Sequence, residues 1–228
     1  MTRYIEAGPH IGINPQAEYY GYKQNRGSYK IEEEIGEHDP QFSFKEQLRI
    51  LADRFQGEEL VVVEGGCGYA GILHGIKRDA LELGITVATT GINSNHEIFK
   101  DREHMPNVDE IILGKVEDAY GKGLLPPESA HLIVDVRGAF YSDTGREGSP
   151  TGTTILPIYA QLLKPGGRAL LYAGEFDVGA TWRGSRDSVA ETDKNFGRLL
   201  IENNLGLVWQ MGTRGMYGLV EKRGAQTS

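Results

Sequence analysis

One glycine-rich stretch holds the residues whose types and spacing are best suited to chemistry. It reads Glu64-Gly65-Gly66-Cys67-Gly68, follows the apolar run of residues 60–63 and precedes a helical pattern that begins at Ile72. Glycines allow the backbone to approach a ligand closely, and a helix N-terminus favours an anionic group. The stretch therefore predicts a ligand-binding turn between a buried strand and a helix, and a bulky residue at Gly66 is predicted to block it.

The same glycines fit the dinucleotide-binding fingerprint when residues 66–71 are read as Gly-x-Gly-x-x-Gly. That fingerprint expects an acidic residue about 20 residues later, which binds the ribose. The end of the next apolar strand instead reads Thr-Gly-Ile-Asn-Ser over residues 90–94. An NAD-dependent oxidoreductase is therefore the weaker alternative.

Read from Glu64 as acidic-x-Gly-x-Gly-x-Ala, the stretch resembles motif I of class I S-adenosylmethionine (SAM)-dependent methyltransferases. Three further segments are similar to that family: Gly-Ile-Asn-Ser at 91–94, Gly-Lys-Val-Glu-Asp at 114–118 and Leu-Leu-Lys-Pro-Gly-Gly-Arg-Ala-Leu-Leu at 162–171. The resemblance covers residues 48–222. It implies SAM as cofactor and a SAM-dependent methyltransferase as the activity.

The resemblance also implies which residues would contact the cofactor, from the ends of the first three strands and the loops after them. They are Glu64, Gly65, Gly66, Gly68, Asn93, Ser94, Val116 and Glu117. Asn93 stands where the family places an acidic ribose ligand, and Lys115 stands where it often has Asp. These departures keep a second hypothesis open, in which a SAM-fold protein uses the cofactor for other chemistry or binds it without methyl transfer.

The methyl acceptor is expected beyond the fourth strand, because ligands of open α/β sheets bind at the carboxyl ends of the strands. Asp135, Arg137 and Tyr141 follow that strand and are the catalytic candidates. Asp135 would act as a base or hold an acceptor amine, Arg137 would bind a substrate carboxylate, and Tyr141 would orient the acceptor. His10 is an alternative base if the N-terminal segment closes over the site.

Alternating strands and helices position these residues. Apolar patterning predicts strands over 60–63, 85–90, 110–113, 131–136, 168–173, 207–210 and 217–221, and helices over 42–55, 72–83, 95–102, 153–163 and 193–203. The order predicts an α/β fold with a doubly wound, mainly parallel seven-stranded sheet and a C-terminal antiparallel hairpin. Residues 1–42 form an N-terminal extension, with an irregular surface segment and a lid over the substrate as alternatives, and residues 43–228 form the SAM-binding domain.

Composition narrows the partners and the compartment. The formal net charge of −8 gives no general attraction to phosphate backbones, so we expect a small-molecule or peptide substrate and no nucleic acid. The single cysteine, the absence of a signal-peptide pattern and the short apolar runs favour a cytoplasmic protein without a membrane span. No metal-ligand spacing is seen, and no metal site is predicted. The oligomeric state stays open, with a homodimer as one alternative.

Overall fold

The computed structural model describes residues 2–9, 32, 42–68, 70–94, 108–136, 138–140, 154–173, 197–212 and 216–224. Eight strands lie in these ranges: β1 Arg3–Glu6, β2 Leu60–Gly65, β3 Val87–Asn93, β4 Glu110–Leu113, β5 Ala130–Asp135, β6 Leu163–Ala173, β7 Leu205–Gly212 and β8 Met216–Lys222. Four helices join them: α1 Phe44–Arg54, α2 Gly71–Leu83, α3 Val116–Gly121 and α4 Ile155–Leu162. Residues 197–202 are also helical.

All eight strands form one sheet in the order β1-β4-β3-β2-β5-β6-β8-β7. The neighbours from β1 to β6 run parallel, whereas β8 is antiparallel to both β6 and β7. The predicted α/β fold, with a mainly parallel sheet and a closing antiparallel hairpin, is confirmed. The described residues form eight strands rather than the seven predicted.

The additional strand is β1, which lies inside the segment expected to be irregular. It pairs in parallel with β4, and the backbone N–H groups of Arg3 and Ala7 donate to the carbonyls of Asp109 and Leu113 at 2.9 and 2.7 Å. Its sequence, Arg-Tyr-Ile-Glu, has neither a continuous apolar run nor a strict apolar–polar alternation, which are the strand signals in a sequence. Its hydrogen bonds come from the neighbouring strand, so tertiary structure specifies it rather than local preference.

Helices cover both faces of the sheet, as the doubly wound prediction requires. Successive residues of a strand point to opposite faces, and Val62 and Val63 accordingly belong to two different buried clusters. The first cluster includes apolar side chains of α1 and α2, such as Leu48 and Ile76. The second includes those of α3 and α4, such as Val116 and Leu156.

Most strand boundaries differ from the sequence prediction by one or two residues, and two of them differ by three or more. Strand β3 ends at Asn93, three residues later than expected, because its pairing with β2 and β4 continues to that point. Strand β6 begins at Leu163 rather than Arg168, with an irregularity in its pairing with β5 and a φ of 85° at Gly166. The predicted helix over 95–102 lies outside the described residues, as do residues 193–196 of the last predicted helix.

The helices that flank the glycine-rich stretch begin and end for local reasons. Ser43 caps α1, because its side-chain oxygen accepts the backbone N–H of Glu46 at 3.0 Å. Helix α2 follows Ala70 in the left-handed region (φ 55°) and ends at Gly84 (φ 69°), a common helix terminator. In the part of the chain that is described, no helix has the length and apolar character needed to cross a bilayer.

Candidate functional site

The predicted site residues meet at one edge of the sheet because β3, β2 and β5 are neighbouring parallel strands. Glu64 of β2 is in register with Gly91 of β3 and Val134 of β5. Asn93 and Asp135 are the last residues of their strands. The carboxyl ends of three adjacent strands therefore bring Glu64, Asn93 and Asp135 to the same edge, where ligands of open α/β sheets bind.

The glycine-rich stretch forms a tight turn between β2 and α2. Gly66, Gly68 and Ala70 have φ angles of 73°, 51° and 55°, in the left-handed region that glycine adopts without strain. The backbone N–H of Cys67 donates to the carbonyl of Ile92 at 2.9 Å, which fastens the turn to the end of β3. Hydrogen bonds between strands thus hold the predicted ligand-binding turn in place.

Glu64 combines deep burial with an incomplete set of hydrogen bonds. The residue is 4% exposed, and the backbone N–H of Leu73, in the first turn of α2, lies near its carboxyl group and favours the ionised form. Among the residues that the structure describes, no hydrogen-bond donor reaches its Oε2 atom. Burial, and then the nearby Asp135 carboxylate, raise the pKa of Glu64 well above its ordinary value. A buried acceptor of this kind is costly unless a ligand supplies a donor.

Asn93 connects the turn to the loop after β4. The residue is 7% exposed, and its Nδ2 atom donates to the carbonyl of Gly68 at 3.2 Å. The Asn93 carbonyl accepts the backbone N–H of Gly114 at 2.9 Å. Asn93 thus connects loops from three strands, which is a structural role in addition to the predicted ribose contact. Ser94, the next residue, is half-buried.

Asp135 is fully buried, with 0% of the residue exposed. Its Oδ1 accepts the backbone N–H of Gly138 at 3.0 Å, and its Oδ2 accepts the backbone N–H of Phe140 at 2.9 Å and the hydroxyl of Tyr159 at 2.5 Å. Burial raises the pKa of Asp135 to about 7, against the opposing effect of these donors. Donors from the chain itself occupy both oxygens, which favours a positioning role over the base that the sequence predicted.

The other acceptor-side candidates are not placed by the structure. Arg137 and Tyr141 lie outside the described residues, as does His10. Their predicted roles, and that of the N-terminal extension of residues 1–42 as a lid, stay predictions.

The remaining predicted cofactor residues lie at the start of α3. Val116 is buried in the core, 1% exposed, so only its backbone could face a ligand, whereas Glu117 is half-buried in the first turn. The chain that leaves β1 runs beside them, because a Cβ added to Gly8 would lie 2.4 Å from Oδ2 of Asp118. The residues that follow β1 therefore lie at the same edge of the sheet as the start of α3.

Two residues that the sequence analysis missed pack directly against the glycine-rich turn. A Cβ added to Gly65 would lie 1.8 Å from the Tyr159 hydroxyl, and one added to Gly138 would lie 1.8 Å from the carbonyl of Gly65. A Cβ added to Gly66 would lie 2.5 Å from the Cα of Gly138. The signal in the sequence was a tyrosine on the buried face of an apolar helix, since a buried tyrosine hydroxyl usually needs a partner.

Comparison with known proteins supports the fold and goes no further. No protein-family model matches the chain, and no curated protein matches it. Among solved structures, the DszA carbon methyltransferase has a TM-score of 0.53 at 13% identity, with 94% of this chain and 56% of that chain covered. The CurJ carbon methyltransferase has a TM-score of 0.51 at 10% identity, with coverages of 74% and 50%.

The methyltransferase (CMeT) domain of the citrinin polyketide synthase is also similar, with a TM-score of 0.49, 17% identity and coverages of 73% and 47%. The chain thus spans about half the length of these three chains. The DszA and CurJ likenesses establish the fold, which is the methyltransferase fold that the sequence resemblance implied.

Proposed function

We propose that the chain binds SAM at the carboxyl edge of β2 and β3 and transfers its methyl group to a small molecule or a peptide side chain. The observation that carries the proposal is Glu64, a buried carboxylate whose Oε2 has no donor among the described residues, beside a turn with three left-handed residues. An amino group is the complementary ligand group, and the methionine portion of SAM supplies one.

The residues present fit that cofactor. Glu64 would accept from the ammonium group, and the backbone at Gly66 and Gly68 would lie under the amino-acid and ribose portions. Asn93, Ser94 and Glu117 would face the ribose and the adenine, as the resemblance implies. When bound, SAM supplies a methyl group already activated by the positive charge on sulfur. The protein then has to orient the acceptor and keep water away from the site.

The acceptor would approach from the side of β5, where Arg137 and Tyr141 follow the strand in sequence. An oxygen or nitrogen acceptor in a small molecule or peptide remains our proposal, and Arg137 would bind a substrate carboxylate. Asp135 would position the turn that begins this segment.

Ligand binding to the purified protein tests the proposal. We expect S-adenosylhomocysteine (SAH) and SAM to raise the melting temperature and NAD to leave it unchanged, because a ligand that binds only the folded state stabilises it. Glu64→Gln should weaken SAH binding by about ten-fold in calorimetry, since a charge-assisted hydrogen bond becomes a neutral one. Glu59→Gln, an exposed residue at the opposite end of β2, is the matched control and should bind like the wild type.

Absence of a shift with SAM and SAH at millimolar concentration would exclude both methyl transfer and simple SAM binding. A shift with NAD alone would favour the oxidoreductase alternative. Equal SAH affinity of Glu64→Gln and the wild type would remove Glu64 from the site.

Substitution at Asn93 tests the ribose contact. The sequence alone predicts that Asn93→Asp tightens binding, because the family has an acidic residue there. The geometry reverses the expected sign, since Asp cannot donate to the carbonyl of Gly68 and would place a carboxylate oxygen against it. We expect weaker SAH binding by calorimetry; tighter binding would mean that the ribose contact outweighs the lost hydrogen bond.

The hydrogen bond from Asn93 to the carbonyl of Gly68 also favours a second candidate function. In this alternative, a protein with the SAM-binding fold binds the cofactor without transferring its methyl group, or uses it for other chemistry. Incubation with methyl-labelled SAM and either a protein extract or its low-molecular-mass fraction separates the two. Label in an acceptor supports methyl transfer. SAH-competitive binding without label transfer, across acceptor classes, supports the alternative.

A further inference from the structure

The contact between α4 and the turn after β5 carries an inference that rests on the proposed function and deepens it. We propose that Tyr159 is a positioning residue of the site, which acts through Asp135 to hold residues 138–140 against the glycine-rich turn of β2. Tyr159 itself is 0% exposed and lies behind that turn, so it does not touch the ligand.

The first step is the set of donors at Asp135. The backbone N–H groups of Gly138 and Phe140 donate to its carboxylate, and the Tyr159 hydroxyl supplies a third donor. Such a carboxylate fixes the start of the segment that follows it, much as a capping residue fixes a helix. Tyr159 holds that carboxylate in its orientation at 2.5 Å.

The second step is the contact between the two turns. Gly138 packs on the carbonyl of Gly65, and Gly66 packs on the backbone of Gly138 and Ala139, at distances that leave no room for a side chain. The Tyr159 hydroxyl fills the remaining space beside Gly65. A movement of residues 138–140 would therefore also move the β2 turn. The Tyr159 hydroxyl contacts Asp135, which positions the first, and lies beside Gly65, which belongs to the second.

Asp135 and Tyr159 lie among other ionisable side chains. Among the described residues, the ionisable groups that face Asp135 and Tyr159 are Glu64 from β2 and Glu117 from α3, and Cys67 lies beside Glu64. The Tyr159 hydrogen bond favours the ionised form and lowers the pKa of Asp135, which burial raises to about 7. Without that hydroxyl, the pKa of Asp135 would rise further, and a protonated carboxyl would hold the amides of residues 138–140 less well.

Tyr159→Phe tests the inference through the pH dependence of binding. At pH 7 we expect SAH affinity about ten-fold below the wild type, because a hydrogen bond to a charged group is lost. Raising the pH to about 9 should ionise Asp135 again and bring the variant within about three-fold of the wild type. A packing defect would leave the ratio of the two affinities the same at every pH, and Glu64 titrates in both proteins, so the ratio cancels its effect.

Tyr120→Phe is the matched control, since the Tyr120 hydroxyl donates to Gln161 away from the site. Its affinity should stay within about two-fold of the wild type throughout. Hydrogen exchange of the Gly138 and Phe140 amides, measured without ligand at pH 7, should be about ten-fold faster in Tyr159→Phe only. This readout tests the positioning role even if the wild type proves not to bind SAH, in which case the proposed function alone fails.

Wild-type affinity and exchange rates in Tyr159→Phe, or an affinity ratio independent of pH, would overturn the inference. If Tyr159→Phe does not fold, the wild type still decides. Without ligand, the exchange protection of its Gly138 and Phe140 amides should fall as the pH drops below about 7, the pKa of Asp135, and protection independent of pH would overturn the inference as well.

Discussion

Gly65→Ala in two backgrounds measures the contact between the β2 turn and α4 directly. In the wild type, the new methyl group would lie 1.8 Å from the Tyr159 hydroxyl, 2.7 Å from Oδ2 of Asp135 and 3.0 Å from Cζ of Tyr159. Real methyl groups do not approach other atoms so closely, so the tyrosine must move. When it moves, its 2.5 Å hydrogen bond to Asp135 breaks or lengthens.

The expected cost follows from these two events. Overfilling a packed interior costs about 1–3 kcal/mol, and a lost hydrogen bond to a charged group costs about 1.5–3 kcal/mol. We therefore expect Gly65→Ala to lower the free energy of unfolding by about 4 kcal/mol, and Tyr159→Phe alone by about 2 kcal/mol. In the double variant the hydroxyl is already gone, so the total loss should fall about 2 kcal/mol short of the sum of the single losses.

Urea unfolding of the four proteins, followed by circular dichroism, gives this coupling free energy. Gly121→Ala is the control, because Gly121 ends α3 with nothing within 4 Å of an added Cβ, and it should be neutral or stabilising by up to about 1 kcal/mol. Additive losses in the double variant would show that the Tyr159 hydroxyl does not occupy the space beside Gly65. Tyr159 would then not be a positioning residue of the site.

Two buried side chains away from the site have their own expected outcomes. Burial lowers the pKa of His131 from its ordinary 6.5, and its Nδ1 accepts the backbone N–H of Val61 at 2.9 Å, so the unfolded chain takes up a proton first as the pH falls. We expect the difference in free energy of unfolding between wild type and His131→Asn to be largest above about pH 6.5. Below that pH, the difference measured by urea unfolding should shrink by up to about 1.4 kcal/mol per pH unit, and a constant difference would contradict this. Arg168→Met should cost about 2–3 kcal/mol, because Glu221 and the buried Gln47 each lose a partner, and a loss below about 0.5 kcal/mol would refute that role.

The fold could be predicted from the sequence wherever an element carries its own pattern. Strand β4 begins at Glu110 and ends at Leu113 as expected, and α2 ends before Gly84 as expected, because apolar runs and terminating glycines are local signals. Strand β1 and the early start of β6 at Leu163 were missed, since Arg-Tyr-Ile-Glu and Leu-Lys-Pro-Gly-Gly contain no apolar run, and only their pairing with β4 and β5 makes them strands. Long-range pairing leaves no local pattern to find.

The sequence predicted which side chains of the candidate site lie close together better than it predicted what each of them contacts. Glu64 and Asn93 do lie together at the edge of the sheet, because strand ends are specified by the apolar runs before them. The environment of Asp135 was not predictable, since two of its three donors, Gly138 and Phe140, depend on the conformation of the loop after β5, and the third, Tyr159, comes from α4. A polar residue at a strand end can serve the ligand or the loop beside it, and sequence alone does not distinguish the two.

Gly65 and Gly66 are ambiguous in the same way, because either a ligand or packing within the chain can require a small residue. Sequence reasoning attributes the small residues at Gly65 and Gly66 to the approach of a ligand, yet the chain itself occupies the space beside both. A Cβ added to Gly65 would lie 1.8 Å from the Tyr159 hydroxyl, and one added to Gly66 would lie 2.5 Å from the Cα of Gly138. A valine at Gly66 would therefore clash with Gly138 and Ala139 whether or not a ligand is bound. Loss of binding in that variant would not identify a ligand contact unless the stability of the free protein were unchanged. Polar contacts that the chain leaves unfilled, such as Oε2 of Glu64, are the more direct evidence of where a ligand binds.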